Sequence, residues 1–168
     1  VVITPATRLR IRAASVSRRE ADHARPTAGE LQSVTGANAD GQPWITKARR
    51  VLTSAAGLCE TDPESAYLLA YDAARFACAA LLTHQGLRAT SAGGHYAIDV
   101  AVREQFGGPF EEFGGLRRQR NELAYQFVTD SVSSADASRA VSLSKKLVDT
   151  AEQMLPHLGL FSTGRGGG

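Results

Sequence analysis

Sulfur, lysine and aromatic rings are all scarce in this chain. Cys59 and Cys78 are its only cysteines, and they form no metal-ligand spacing, so no zinc or iron centre is expected. Both read as small apolar residues in a reduced, cytoplasmic setting. Lys47, Lys145 and Lys146 are the only lysines, and aromatic residues make up 7% of the sequence. No apolar run looks long enough to span a membrane. No apolar core of a secretory signal stands near the start. No strand pattern, internal repeat or calcium-type spacing appears, and no Ser-His-Asp set can be assigned.

Alanine, glycine, leucine and arginine are abundant in the 168 residues, which favours one helical domain with a real core. The net charge of +2 is unevenly spread. Arg8, Arg10, Arg12, Arg18, Arg19 and Arg25 face only Glu20 and Asp22 near the start, which leaves the remainder slightly acidic. The body therefore lacks the general basic field that would hold a nucleic acid backbone. Residues 1–40 have no helical periodicity and read as a poorly ordered Arg-rich tail. An Arg-rich, acid-poor start also has the composition of an organelle transit peptide.

Residues 41–160 read as an all-α bundle of four to five helices, mostly up-and-down, followed by a Gly-rich tail over 161–168 that is expected to be disordered. The first helix starts near Pro43 and carries Trp44, Ala48, Val51, Leu52, Ala55 and Ala56 at helical spacing. Lys47, Arg49 and Arg50 fall mostly on its other faces and read as solvated surface. Thr61-Asp62-Pro63-Glu64 begins the second, with Thr61 as cap and Glu64 completing a capping box. That helix runs to Gln85 and stops at Gly86. Its two apolar stripes place it at the bundle centre. Asp72 and Arg75, in its middle, either pair with each other or point into a site.

Residues 87–94 read as a loop. Gly93-Gly94 has no strand before it and no Lys-Ser/Thr after it, so an ordinary turn is favoured over a phosphate loop. His95 opens a third helix with Val102 and Phe106 on its inner side. A fourth starts at Pro109, or after Gly114-Gly115 with a kink expected there, and bears Phe113, Leu116, Leu123 and Phe127. A fifth starts near Ser133 with Asp136 in a capping box, and ends at Pro156.

The fourth helix holds the densest cation cluster of this body, Arg117, Arg118 and Arg120. Arg120 lies on the apolar seam between Leu116 and Leu123. A guanidinium on a seam needs a partner or a site, because burying it alone is costly. Arg118 has Glu122 four residues on and is expected to pair with it.

Two segments together carry a resemblance. They are Ala66-Tyr67-Leu68-Leu69-Ala70-Tyr71-Asp72-Ala73-Ala74-Arg75-Phe76-Ala77 and Leu116-Arg117-Arg118-Gln119-Arg120-Asn121-Glu122-Leu123-Ala124-Tyr125. Their order and separation resemble the HEPN superfamily of helical nucleotide-binding domains, over about residues 43–156. The resemblance implies either a metal-independent ribonuclease, often a toxin with a cognate antitoxin, or a non-cleaving module that binds nucleotide, RNA or a protein such as a nucleotidyltransferase. It implies a homodimer and no cofactor or metal. By position it makes Arg120 the motif arginine and Asn121 the polar residue after it. Tyr125 stands where the nuclease members carry histidine. A phenol with a pKa of about 10 is a poor base at neutral pH, although it still donates to phosphate. Arg120 and Tyr125 are thus the expected catalytic pair if the chain cleaves. Arg117, Arg118, Asn121, Asp72, Arg75 and His95 are the expected binding residues. Five residues of regular helix turn through roughly 140°, so Arg120 and Tyr125 share a site only across a helix break or a two-fold axis. A purely structural helical protein remains the second alternative.

Overall fold

The computed structural model describes residues 31–90, 94–125 and 132–160. Five α-helices carry the fold: α1 (Gln42–Leu58), α2 (Pro63–His84), α3 (Gly94–Phe106), α4 (Phe113–Tyr125) and α5 (Ser134–Met154). Helix α2 lies at the centre and packs against each of the other four. Ala66, Ala70, Ala73, Ala74, Ala77 and Ala80 are fully buried along it, so neighbouring backbones approach closely. Leu81, Leu82 and Tyr71 fill the larger gaps between them. Each such buried leucine contributes about 1.5–3 kcal/mol. By length and composition alone α2 could cross a membrane, contrary to the sequence expectation, but most of it is buried inside the bundle. An apolar surface on nearly every side is what a central helix requires.

The helix ends follow local chemistry. Asp62, not Thr61, caps α2, its Oδ1 accepting from Ser65 N at 3.1 Å. The aspartate is one residue closer, so its carboxylate reaches the orphan N–H and also meets the positive helix end. Gly86, at φ +80°, ends the α2 segment as expected. Ser133 and Asp136 form the expected capping box of α5. Helix α4 starts neither at Pro109, which lies in a 3-10 turn over Gly108–Glu112, nor after Gly114 and Gly115, which it takes into its first turn. Glycine keeps its backbone donor and acceptor, so its cost in a helix is backbone entropy, roughly 1 kcal/mol relative to alanine. Phe127 lies outside the described residues, as do 1–30 and 161–168 of the expected tails.

The expected loop and the end of the expected tail contain strands. β1 (Leu31–Ser33) pairs antiparallel with β2 (Leu87–Ala89), Leu31 opposite Ala89 and Ser33 opposite Leu87. Val34 N donates to Gly86 O at 2.8 Å and extends the pairing into the turn. A Cβ on Gly86 would sit 2.9 Å from Val34 O, so this close approach also needs glycine. A 3-10 turn at Gly36–Asn38 then leads into α1. Arg49 is not merely solvated: it donates to Asp149 Oδ1 at 2.6 Å and pairs with Glu152, tying α1 to α5. Lys47 Nζ sits 4.2 Å from the centre of the Phe76 ring. Arg50 is exposed, as expected.

Candidate functional site at the junction of α2, α3 and α4

Tyr71 is the floor of the junction. Its ring is 1% exposed and stacks on Phe113 at 5.7 Å, nearly parallel. Its hydroxyl lies 3.0 Å from Nδ1 of His95, the second residue of α3. Burial pushes the Tyr71 phenol up to about 12, so it keeps its proton at neutral pH. One turn along α2, Arg75 donates through Nε to Asp72 Oδ1 at 3.1 Å. Of the two sequence alternatives for this pair, the structure shows the pairing. Asp72 and Arg75 bind each other, and both act electrostatically on His95.

His95 is half-buried, and burial is the main cause of its lowered pKa. Arg75 and Arg120 lower it further, while Asp72 opposes them. The imidazole is therefore neutral at pH 7. If Tyr71 donates to Nδ1, Nε2 carries the ring proton and is a donor. In the other tautomer Nδ1–H donates to Tyr71, and Nε2 has a free lone pair.

The arginines of α4 divide over its surface. Arg117 turns toward α3, where its Nε donates to Asp99 Oδ2 at 3.0 Å and its guanidinium lies 5.3 Å from the Tyr96 ring centre. Asp99 is 1% exposed and also sits 2.7 Å from Arg103 Nε. That second contact is off the line of the N–H, so it is an ion pair without an aligned hydrogen bond. Gly114 gives this carboxylate room, since a Cβ there would meet Asp99 Oδ2 at 3.4 Å.

Arg120 faces Tyr71, its guanidinium carbon 5.9 Å from the ring centre. Its only polar contact among the described residues is a long one, 3.4 Å, to Asn121 Oδ1. No described carboxylate pairs with it. Arg118 is not brought to this group. It folds back over Gly114 and lines a groove with Tyr67, Gln119 and Asp136 between α4 and α5. Among the described residues it forms no ion pair with Glu122. The α4 helix continues unbroken from Arg120 to Tyr125, so a helix end between them does not occur. The Tyr125 side chain lies outside the described residues.

A cleft of about 330 Å³ opens beside the junction, between the C-terminal half of α2, β2 and the start of α3. Its walls are mostly apolar, and His95 and Arg75 belong to both the cleft and the junction. No cluster of three or more His, Cys, Asp or Glu side chains suited to a metal exists among the described residues. Cys59 and Cys78 are buried free thiols, and burial raises the Cys78 pKa.

Sequence reasoning passed over Tyr71 as a site residue and over Asp99 entirely. The signal for Asp99 was present. His95, Asp99, Val102 and Phe106 recur at helical spacing, so the inner face of α3 carries a carboxylate that must find a cation. Tyr71 carried no such signal, since its hydroxyl partner comes from another helix. Comparisons of the chain with protein-family models, with curated proteins and with solved structures find no match.

Proposed function

We propose that this chain is a HEPN-like helical module that binds a phosphate-bearing ligand, nucleotide or RNA, at the junction of α2, α3 and α4, and that it works as a homodimer. One observation carries the reading. Arg120 is held at a partly buried position over Tyr71, whose hydroxyl contacts His95, and has no carboxylate partner among the described residues. A guanidinium so placed offers two parallel donors to a phosphate. Arg75 and Arg117 add positive potential, while Asp72 and Asp99 hold them in place. The resemblance of the α2 and α4 segments to HEPN domains points the same way, as does the local character of the charge.

A second reading, metal-independent cleavage of RNA, is favoured by His95. Its lowered pKa leaves it unprotonated at pH 7, which a general base requires. In this reading His95 Nε2 takes the proton of a ribose 2′-hydroxyl, whose oxygen attacks phosphorus. Arg120 faces the charge of the phosphorane. The 5′-oxygen leaves with a proton from water, and a cyclic phosphate remains. His95 then does what Tyr125 is poorly suited to do.

The test is incubation of a structured RNA with the protein in EDTA, with Arg120→Ala and His95→Ala alongside. Fluorescence anisotropy follows binding on the same samples. Binding without cleavage, weakened by Arg120→Ala, supports the module. Cleavage to cyclic-phosphate ends, lost in both variants, supports the nuclease. Neither binding nor cleavage refutes both and leaves the arginines structural. Light scattering at high micromolar concentration tests the dimer, and a monodisperse monomer would refute it.

A further inference from the structure

We infer that the free edge of β2 takes up an extended segment of a partner protein as a third strand, with an acidic residue between two apolar ones. Phosphate binding at the junction is not required for it. The register of the ribbon decides which backbone groups are open. Val34 N donates to Gly86 O, and two residues back along β1 Gln32 lies opposite Arg88. Antiparallel pairs alternate between hydrogen-bonded and open ones, so the ladder bonds of β2 run through Arg88. The N–H and C=O groups of Leu87 and Ala89 point the other way, and among the described residues they have no hydrogen-bond partner. These four groups are the pairing template of an edge strand. The cleft of about 330 Å³ runs along this edge. Leu87, Arg88, Ala89 and Thr90 all line it and no residue of β1 does, whereas a cleft on one face of the strand would meet only alternate residues.

The chemistry of the guest follows from the strand it joins. A segment laid antiparallel to β2 bonds to Leu87 and Ala89 through two of its residues, and the residue between these sits opposite Arg88. Opposed residues share a face of the sheet. Leu87 and Ala89 are half-buried, so their two partners are apolar and enter the cleft among Trp44, Leu82 and Ile98. Arg88 is exposed and has no ion pair among the described residues, so the middle residue is acidic. No Asp or Glu lines the cleft to oppose it. The same charge disfavours the other occupants. In this chain, residues 1–30 are Arg-rich and 161–168 hold no acidic residue. A second copy of β2, paired across a two-fold axis, would set Arg88 against Arg88, and like charges directly opposite are destabilising.

The experiment measures binding of a fluorescein-labelled Ser-Ile-Glu-Val-Ser peptide to the full chain by anisotropy. Its Ile-Lys-Val counterpart is expected to bind about threefold or more weakly, and Arg88→Glu should reverse that order. N-methylation of the Ile or Val amide, which face β2, should weaken binding about fivefold or more, while methylation of the Glu amide, which faces away, should change little. Ala89→Pro removes a donor of the free edge and none of the β1 ladder, so it should weaken the peptide with the circular dichroism unchanged. The methylated peptides on the wild type decide the matter if that variant does not fold. Binding with the alternating methylation pattern and the charge preference supports the third strand. No binding at about 1 mM peptide, or any other methylation pattern, overturns it. Protection of the Leu87 and Ala89 amides from hydrogen exchange without peptide also overturns it. That protection would come from the chain's own segment if independent of concentration, and from a second copy if not.

Discussion

Replacing Asp99 with alanine is expected to cost the fold about 2–4 kcal/mol, somewhat less than the roughly 3–5 kcal/mol of breaking a fully buried pair. The carboxylate is 1% exposed and stands between two guanidiniums, Arg103 and Arg117, which are 35% and 20% exposed. Removing it leaves both cations without their partner, each a loss of about 1–3 kcal/mol for a buried group. Their partial exposure is the discount, because water takes over some of the lost solvation. For a urea slope of about 2 kcal/mol per molar, the middle of the usual range, the unfolding midpoint should fall by roughly 1–2 M. Urea titration followed by circular dichroism measures this. Asp99→Asn keeps the shape and one acceptor, so it should lose less. A double-mutant cycle with Arg117→Met should show a coupling of about 1–3 kcal/mol. A midpoint for Asp99→Ala within about 0.2 M of wild type, on a slope of that size, would refute the reasoning. So would strictly additive losses in the cycle.

The lowered pKa of His95 means that the folded state binds fewer protons than the unfolded chain. Its contribution to stability is complete above the unfolded value of about 6.5 and declines as pH falls from there toward the folded pKa. Thermal melts between pH 5 and 7.5 should show this slope, and His95→Gln should flatten it. A bound phosphate raises that pKa, so anion affinity should increase as pH falls through the same window. Gly41→Ala should destabilise by about 2 kcal/mol or more, in the range of overpacked cores. Its Cβ would lie 2.4 Å from Ala80 O, a backbone atom that cannot turn aside. Gly115→Ala should instead stabilise by about 0.5–1 kcal/mol, measured by the shift in urea midpoint. Its Cβ meets only Arg118 Nη2, at 3.9 Å.

Helices were legible where a residue and its reason lie close in sequence. Ser133 and Asp136 are three apart and cap α5 as their types require. The alanine and leucine stripes of α2 demanded a central position, and α2 has it. The strands were not legible. Leu31–Ser33 has neither length nor alternation, and only pairing with Leu87–Ala89, brought near by α1 and α2, makes it a strand. Asp72, Arg75, His95 and Arg120 were named from sequence, and the structure groups them. The separation of Arg120 from Arg118 could have been seen on a helical wheel, since residues two apart differ by about 200° and face opposite sides. The hydroxyl of Tyr71 could not, because its role depends on where α3 crosses α2.

The two-stranded ribbon has a kinetic consequence. β2 is one wall of the cleft; its only strand pairing among the described residues is with the three-residue β1, and beyond that it leans on α2 and α3. Ribbons of this size are marginal without support from packing. The wall should therefore detach in a local opening that costs far less than unfolding the helices around α2. In hydrogen exchange, the ribbon amides would exchange quickly and those of central α2 only with the whole bundle. The aperture of the cleft is then a fluctuating quantity, and a guest seated there would slow exchange in a segment that precedes α1 and never touches it.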